Sequence, residues 1–284
     1  MITYRLLTAA DSPKLFECFI DAFSDYQVDM RVSREVFEQR LVRDGVQLEI
    51  SAGAFDETRM VGFYMNAPGE WQGKPTVFDA GTGVIPAYRR QGIAKELFAF
   101  MTPHLKEASV EQYLLEVLTG NERAVALYRK LGFVDTRRLA VFRRSAPESS
   151  RASDAEPEIH RVDEPDWELF KSFWDCDPSW QNSIDAVERV ANDRVVVCAY
   201  VDETCVGYGV AFKPWVSLMQ LAVAPAHRRK GIGSEILSAL QREVSETESL
   251  KVSNIDEASK GALAFYESNG FKMVLEQYEM VKVF

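Results

Sequence analysis

Val84-Ile85-Pro86-Ala87-Tyr88-Arg89-Arg90-Gln91-Gly92-Ile93-Ala94 and Val223-Ala224-Pro225-Ala226-His227-Arg228-Arg229-Lys230-Gly231-Ile232-Gly233 lie 139 positions apart and agree at seven of eleven residues. A second block, Ala124-Val125-Ala126-Leu127-Tyr128 with Gly132-Phe133, recurs as Ala262-Leu263-Ala264-Phe265-Tyr266 with Gly270-Phe271 at an offset of 138. Two separated blocks at nearly one offset mean that the chain holds two copies of one structural unit. Its 284 residues suit two domains at a prior of roughly 150 residues each. Between the copies, residues 145–157 carry two prolines and four serines and no large apolar side chain. Such a segment buries too little surface to offset its ordering entropy and reads as a linker. We therefore expect an N-terminal domain over 1–145, a linker over 146–157 and a C-terminal domain over 158–284.

The halves also share an order of elements. In the first, Ile2–Leu7 reads as a strand, and Asp11-Ser12-Pro13 opens a helix carrying Leu15, Phe19, Ile20 and Phe23. A helix over 33–42 follows, then strands near 48–55, 60–65 and 76–84, a helix over 92–106, a strand over 113–118, a helix over 121–130 and a strand over 134–143. The second half reads as strand 159–162, helical segments within 165–175 and 183–191, strands 195–201, 206–212 and 217–223, helix 231–244, a short strand at 250–252, a helix near 258–267 and a strand-rich end over 271–283. Strands and helices mixed in this order predict α/β domains around a central, largely antiparallel sheet.

Composition excludes several classes. A formal net charge of -10 argues against a nucleic-acid partner, which needs a basic footprint. No apolar run approaches the roughly 20 residues that span a bilayer, and the N-terminus lacks a signal-peptide stretch, so a soluble, cytoplasmic protein without a membrane partner is expected. Cys18, Cys176, Cys198 and Cys205 form no C-x-x-C pair and do not cluster with the three histidines, so no metal site is expected. They read as reduced, mostly buried thiols, and Cys198 and Cys205, which flank a turn at 201–204, are the pairing that merits inspection.

The repeated Arg-Arg-x-Gly-Ile-Gly/Ala segment sits where a strand ends and a helix begins. Helix N-termini leave backbone N–H groups unpartnered and carry partial positive charge, so they receive anions. Gly92 removes a Cβ that would hinder a phosphate, Ala94 is nearly as small, and the arginines add charge. On these residues, and on Asn121 through Phe133 as N-x-x-A-x-x-L-Y-x-x-x-G-F, the chain resembles the GNAT family of N-acetyltransferases. The resemblance is close over 76–143 and 216–280. It implies two tandem acyl-CoA N-acyltransferase domains, each a mixed, mostly antiparallel twisted sheet flanked by helices, using acetyl-CoA and an amine acceptor.

On matched positions the resemblance implies that backbone groups of Thr82, Gly83 and Val84 address the pantetheine and acetyl carbonyl. Arg89, Arg90, Gln91, Gly92, Ile93, Ala94 and Lys95 would surround the pyrophosphate, and Asn121 would meet the pantetheine arm. Tyr128 would protonate the departing thiolate, a role that suits a phenol with an ordinary pKa of about 10. Glu116, on the neighbouring strand, is the candidate base, and a structural carboxylate is the alternative. Gly81 and Gly83 make the strand unusual and point to a bulge that would open the sheet. In the second half the corresponding cofactor residues are Leu221, Ala222, Val223, Arg229, Lys230, Gly231, Ile232, Gly233, Ser234 and Tyr266. That half has Ser259 in place of Asn121 and lacks the paired glycines. The favoured expectation is therefore catalysis in the first half. A coenzyme A-binding scaffold, or catalysis through Tyr266, stays open. Asp21, Asp25, Tyr26 and Asp29 are candidates for the acceptor wall, their acidity suiting a cationic molecule. The sequence does not fix the oligomeric state.

Overall fold

A computed structural model describes residues 1–145, 157–245 and 247–284. They fall into two compact units, Met1–Thr136 with Tyr278–Phe284, and Arg137–Gln277. The expected linker falls almost wholly outside the described residues.

The first unit opens with β1 (Ile2–Leu6), α1 (Ser12–Ala22) and α2 (Arg34–Asp44), followed by β2 (Ala52–Asp56), β3 (Arg59–Trp71) and β4 (Lys74–Val84). Then come α3 (Ile93–Glu107), β5 (Gln112–Leu118), α4 (Glu122–Lys130) and the start of β6 (Val134–Arg143). Its strand order is β1-β2-β3-β4-β5, continued by residues 278–283 of β12 (Lys272–Val283) and the opening of β6. Neighbours from β1 to β4 pair antiparallel and β4 with β5 parallel, which makes the sheet mixed. Local chemistry sets the helices. Pro13 stands in the first turn of α1, where its missing N–H costs nothing. The Ser33 hydroxyl accepts the Val36 N–H at 3.2 Å to start α2, and Gly45 at φ 81° ends it. Phe19 of α1, fully buried, lies 4.9 Å from the Phe37 ring of α2 and 6.2 Å from that of Phe63 on β3. Truncating Phe19 to alanine is expected to cost about 3–5 kcal/mol.

The second unit holds residues 137–143 of β6, β7 (Glu158–Arg161), α5 (Trp167–Lys171), α6 (Ile184–Arg189), β8 (Arg194–Val201) and β9 (Thr204–Phe212). β10 (Ser217–Val223), α7 (Ile232–Val244), β11 (Lys251–Asp256), α8 (Lys260–Ser268) and the start of β12 complete it. Strands β7 to β10 pair antiparallel in sequence, β10 with β11 parallel and β11 with β6 antiparallel. Its apolar core gathers Val195 and Val197 of β8, Ile236 and Leu240 of α7, and Phe271. All four cysteines are free thiols, and among the described residues no helix is long and apolar enough to cross a membrane.

Candidate functional site

In the first unit β4 and β5 pair from Thr76↔Gln112 to Asp79↔Leu115 and no further, although β4 continues to Val84 and β5 to Leu118. The ladder with β3 shifts register at the same level. Met65 faces Gly81 while Asn66 faces Asp79, so Ala80 is an extra, bulged residue. The expected bulge thus falls one residue before Gly81. The glycines have packing reasons: a Cβ on Gly83 would lie 2.9 Å from the Ala22 Cβ and 2.8 Å from the Phe63 ring, and one on Gly81 2.6 Å from the Met65 methyl.

Four groups converge at the mouth of this opening. Asp79 is 7% exposed, and its carboxylate accepts the Gly81 N–H at 2.9 Å and the Thr82 hydroxyl at 2.6 Å. The Tyr128 hydroxyl donates to Asp79 Oδ2 at 3.4 Å. Burial raises the Asp79 carboxyl to about 6, against the bonds from Thr82, Gly81 and Tyr128 and the charge of Arg40, which lower it. The buried Tyr128 phenol is raised well above its ordinary value by burial first, then by Asp79 and Tyr64, so it stays protonated at neutral pH. Sequence reasoning misses Asp79 as a proton carrier, its one signal being a place at the head of a glycine-rich strand. Glu116 is half-buried on β5, beyond the last paired residue of that strand. Asn121 caps α4, its Oδ1 accepting the Ala124 N–H at 3.3 Å, and its side chain also hydrogen-bonds the half-buried Tyr26.

The loop before α3 has the shape of an anion cradle. Arg90 (φ 67°) and Gly92 (φ 83°) are left-handed, and a Cβ on Gly92 would meet nothing within 4 Å. The first bond into α3 runs from the Glu96 N–H to the Gly92 carbonyl at 3.0 Å. The amides of Ile93, Ala94 and Lys95 therefore precede the helical ladder. Arg90, Gln91 and Lys95 border the loop on its solvent side. Arg89 acts differently. Its Nε donates to the Val84 carbonyl at 3.0 Å, Nη2 to the Ala22 carbonyl at 2.8 Å, and Nη1 pairs with Asp25 at 2.7 Å. The guanidinium is a clamp between β4 and the end of α1, and what it gives an anion is the loop's conformation.

The second unit repeats the scaffold. β10 pairs with β11 only at Ser217↔Lys251 and Leu218↔Val252, and Met219, 139 residues after Ala80, is the bulged residue. Arg228 clamps the Val223 carbonyl at 2.9 Å, the Phe173 carbonyl at 2.9 Å and Asp175 at 2.8 Å. Arg229 (φ 62°) and Gly231 (φ 86°) reproduce the loop, and Ser234 N–H bonds the Gly231 carbonyl at 2.9 Å. A cavity of about 640 Å³ brings together Leu221, Ala222, Val223, Arg229, Gly231, Ile232, Gly233, Ser234 and Tyr266. Lys230 lies exposed between Arg229 and Gly231. The chemistry differs: Leu218 stands at the position of Asp79, and the buried Tyr266 phenol is raised by burial, with no carboxylate contributing.

The acidic residues expected to face an acceptor are engaged by arginines. Asp21 pairs with Arg59 at 3.1 Å, Asp25 with Arg89 at 2.7 Å and Asp29 with Arg31 at 2.8 Å. Tyr26 is the member of that set that reaches the Asn121–Tyr128 side of the site. A cationic acceptor thus gains no support from these carboxylates.

Comparison with known proteins agrees with this architecture. The acetyltransferase (GNAT) family matches the chain twice, over residues 13–133 and 157–271. The mycothiol acetyltransferase of Saccharomonospora viridis is 34% identical over 113 residues, 38% of this chain and 36% of its own length. The N-alpha-acetyltransferase MAK3 of Arabidopsis thaliana is 34% identical over 86 residues, 30% of this chain and 45% of its own length. The chain thus spans less than half the length of these curated relatives. A tandem GNAT protein from the clavulanic acid biosynthesis pathway superposes with a TM-score of 0.74 at 14% identity, over 100% of this chain and 98% of that one. A GNAT-type N-acetyltransferase from Sphaerobacter thermophilus does so with 0.74 at 14% identity, over 99% and 95%. At such identity the structural likeness is one of fold.

Proposed function

The chain belongs to the acetyltransferase (GNAT) family, and we propose that its first unit transfers an acetyl group from acetyl-CoA to a primary amine of a small molecule or peptide. The observation that carries this reading is the contact between Tyr128 and Asp79 at the mouth of the β4–β5 opening, on the strand that leads into the loop before α3. The free amides at the start of α3 and the open face of Gly92 fit a pyrophosphate, and the opened strand leaves Thr82–Val84 unpaired toward β5 for the pantetheine. Acetyl-CoA, when bound, supplies an acetyl group already activated as a thioester. Asp79, ionised above about pH 6, accepts a proton from the acceptor ammonium, which must be neutral to attack. The ammonium loses two protons on becoming an amide. One leaves through Asp79 to solvent, and the other reaches the departing sulfur from Tyr128 Oη, which is restored from Asp79. Asp79 thereby takes the role that the sequence alone suggests for Glu116.

The second unit keeps the anion loop and the clamp and has a cavity beside them, but Leu218 stands in place of a proton carrier, which favours a unit that holds an acyl-CoA without turning it over. Calorimetric titration of the full chain with acetyl-CoA tests both assignments. Two equivalents are expected for the wild type, and one each for Gly92→Glu and Gly231→Glu, where a carboxylate would enter the anion site. Absence of binding by the wild type would remove the reading.

A further inference from the structure

The repeat supplies an internal control that singles out Arg40 of α2. Arg40 Nη2 donates to the carbonyl of Ala80, the bulged residue, at 2.9 Å, its Nε lies 3.6 Å from Asp44 Oδ2, and its guanidinium sits 5.6 Å from the Phe19 ring centroid. Asp44 is fully buried, and it also pairs with Arg43 at 2.6 Å. The Arg40 side chain is only 23% exposed, and a cation drawn this far out of water needs a compensating purpose, because removing charge from water is expensive.

Holding the bulge is not that purpose. Ser33 caps α2 and Ser183 caps α6 with the same hydroxyl-to-amide bond, at 3.2 Å in both. Counting from these caps places Val190 at the position of Arg40, buried in an apolar cluster with Phe170 and Tyr208. The second unit nonetheless forms its bulge, at Met219. It lacks Asp79 as well, with Leu218 in its place. Asp79 is thus aliphatic Leu218 in the other copy, and the count from the caps puts Val190, the residue that follows α6, where Arg40 stands. The framework survives the double replacement, so what the two residues share is the chemistry beside Tyr128.

We propose that Arg40 is a positioning residue for Asp79, held by the Ala80 carbonyl next to that carboxylate and supplying the positive charge that favours its proton-accepting form. The inference rests on the proposed role of Asp79 and adds the residue that sets its charge. The other groups facing Asp79 are hydroxyls and an amide: Thr82 and Gly81 on β4, Tyr64 on β3, Tyr113 on β5 and Tyr128 on α4, with Tyr26 beyond Tyr128. α3 presents the Phe98 ring to Tyr64 and Tyr113. Arg40 is the cation acting on Asp79 within this set, and its own charge is favoured by Asp44 and opposed by Arg43.

The test needs no acceptor. Full-length protein labelled with ¹³C-aspartate is titrated by NMR, and the Asp79 carboxyl resonance is assigned by its loss in Asp79→Asn. Arg40→Gln and Arg40→Met, the latter imitating the aliphatic residue of the second unit, should raise the Asp79 midpoint, whereas Arg40→Lys should leave it near the wild-type position. An unchanged midpoint in a folded Arg40→Gln or Arg40→Met protein would overturn the proposal. Failure of both to fold would overturn it too, by assigning Arg40 to the framework. A wild-type midpoint near the ordinary value of about 4 would instead remove Asp79 as the proton carrier, which separates the two failures.

Discussion

A carboxyl group raised to about 6 by burial, as that of Asp79 is, binds its proton more tightly in the folded than in the unfolded chain, where about 4 is normal. Its contribution to stability is therefore fullest below about pH 4 and is lost as pH rises through about 6. Asp79→Asn should thus stabilise the first unit at pH 7, by up to about 3 kcal/mol at 1.36 kcal/mol per pH unit, with the gain gone by pH 4. Thermal unfolding at the two pH values checks it. Catalysis has the opposite requirement, since only the ionised form accepts a proton. Wild-type turnover should fall as pH drops through about 6, and Asp79→Asn should lose that limb together with about 10²–10⁴-fold in rate. A stabilising substitution that silences activity is the pattern of a strained functional site. Tyr128 is legible in the sequence because a motif surrounds it. Asp79 is not, because its partners lie 49 residues away at Tyr128 and 39 away at Arg40, and only the folded β4 brings them together.

The two anion loops depend on backbone conformation more than on side-chain charge. Gly92 and Gly231 have φ of 83° and 86°, a region that costs a residue with a Cβ about 1–2 kcal/mol. Gly92→Ala should keep the fold at that cost and weaken acetyl-CoA binding only moderately, whereas Gly92→Glu should abolish binding at that loop. Comparing their affinities separates strain from charge repulsion. The clamps make a further element-scale prediction: Arg89→Lys, unable to form the three directed bonds, should loosen β4 from α1 and lower the melting temperature. Elements themselves are largely readable. The strands at 134–143 and 217–223 and the helix before Lys130 follow from apolar periodicity and glycine punctuation. Sequence extends the second strand back to residue 48, where the chain makes a tight helical turn over Leu48–Ile50, because three apolar-rich residues ahead of a strand share its composition. The expected short strand at 250–252 runs instead to Asp256, because polar residues such as Ser253 and Asn254 carry no strand periodicity.

The repeat announces two copies, yet the first compact unit takes its last strand residues from the other end of the chain. Met280 is fully buried, the Phe284 N–H bonds the Glu111 carbonyl at 2.9 Å, and Lys282 Nζ reaches the Leu131 carbonyl at 2.7 Å. Periodicity cannot reveal this, since a strand carries no mark of the sheet that it joins. Deleting 278–284 should therefore destabilise the unit that holds Tyr128, and a fragment ending at 145 should not melt cooperatively in calorimetry. Met280→Ala alone should cost about 2–5 kcal/mol. The central claim, that acyl transfer runs through Asp79 and Tyr128, is most directly tested by thiol release from acetyl-CoA across a panel of primary amines. Wild type, Asp79→Asn, Tyr128→Phe and Tyr266→Phe would be measured side by side. The account predicts amine-dependent release by the wild type and Tyr266→Phe within about twofold of each other, and a loss of about 10²-fold or more in the other two. Release that survives in Tyr128→Phe and disappears in Tyr266→Phe would contradict it.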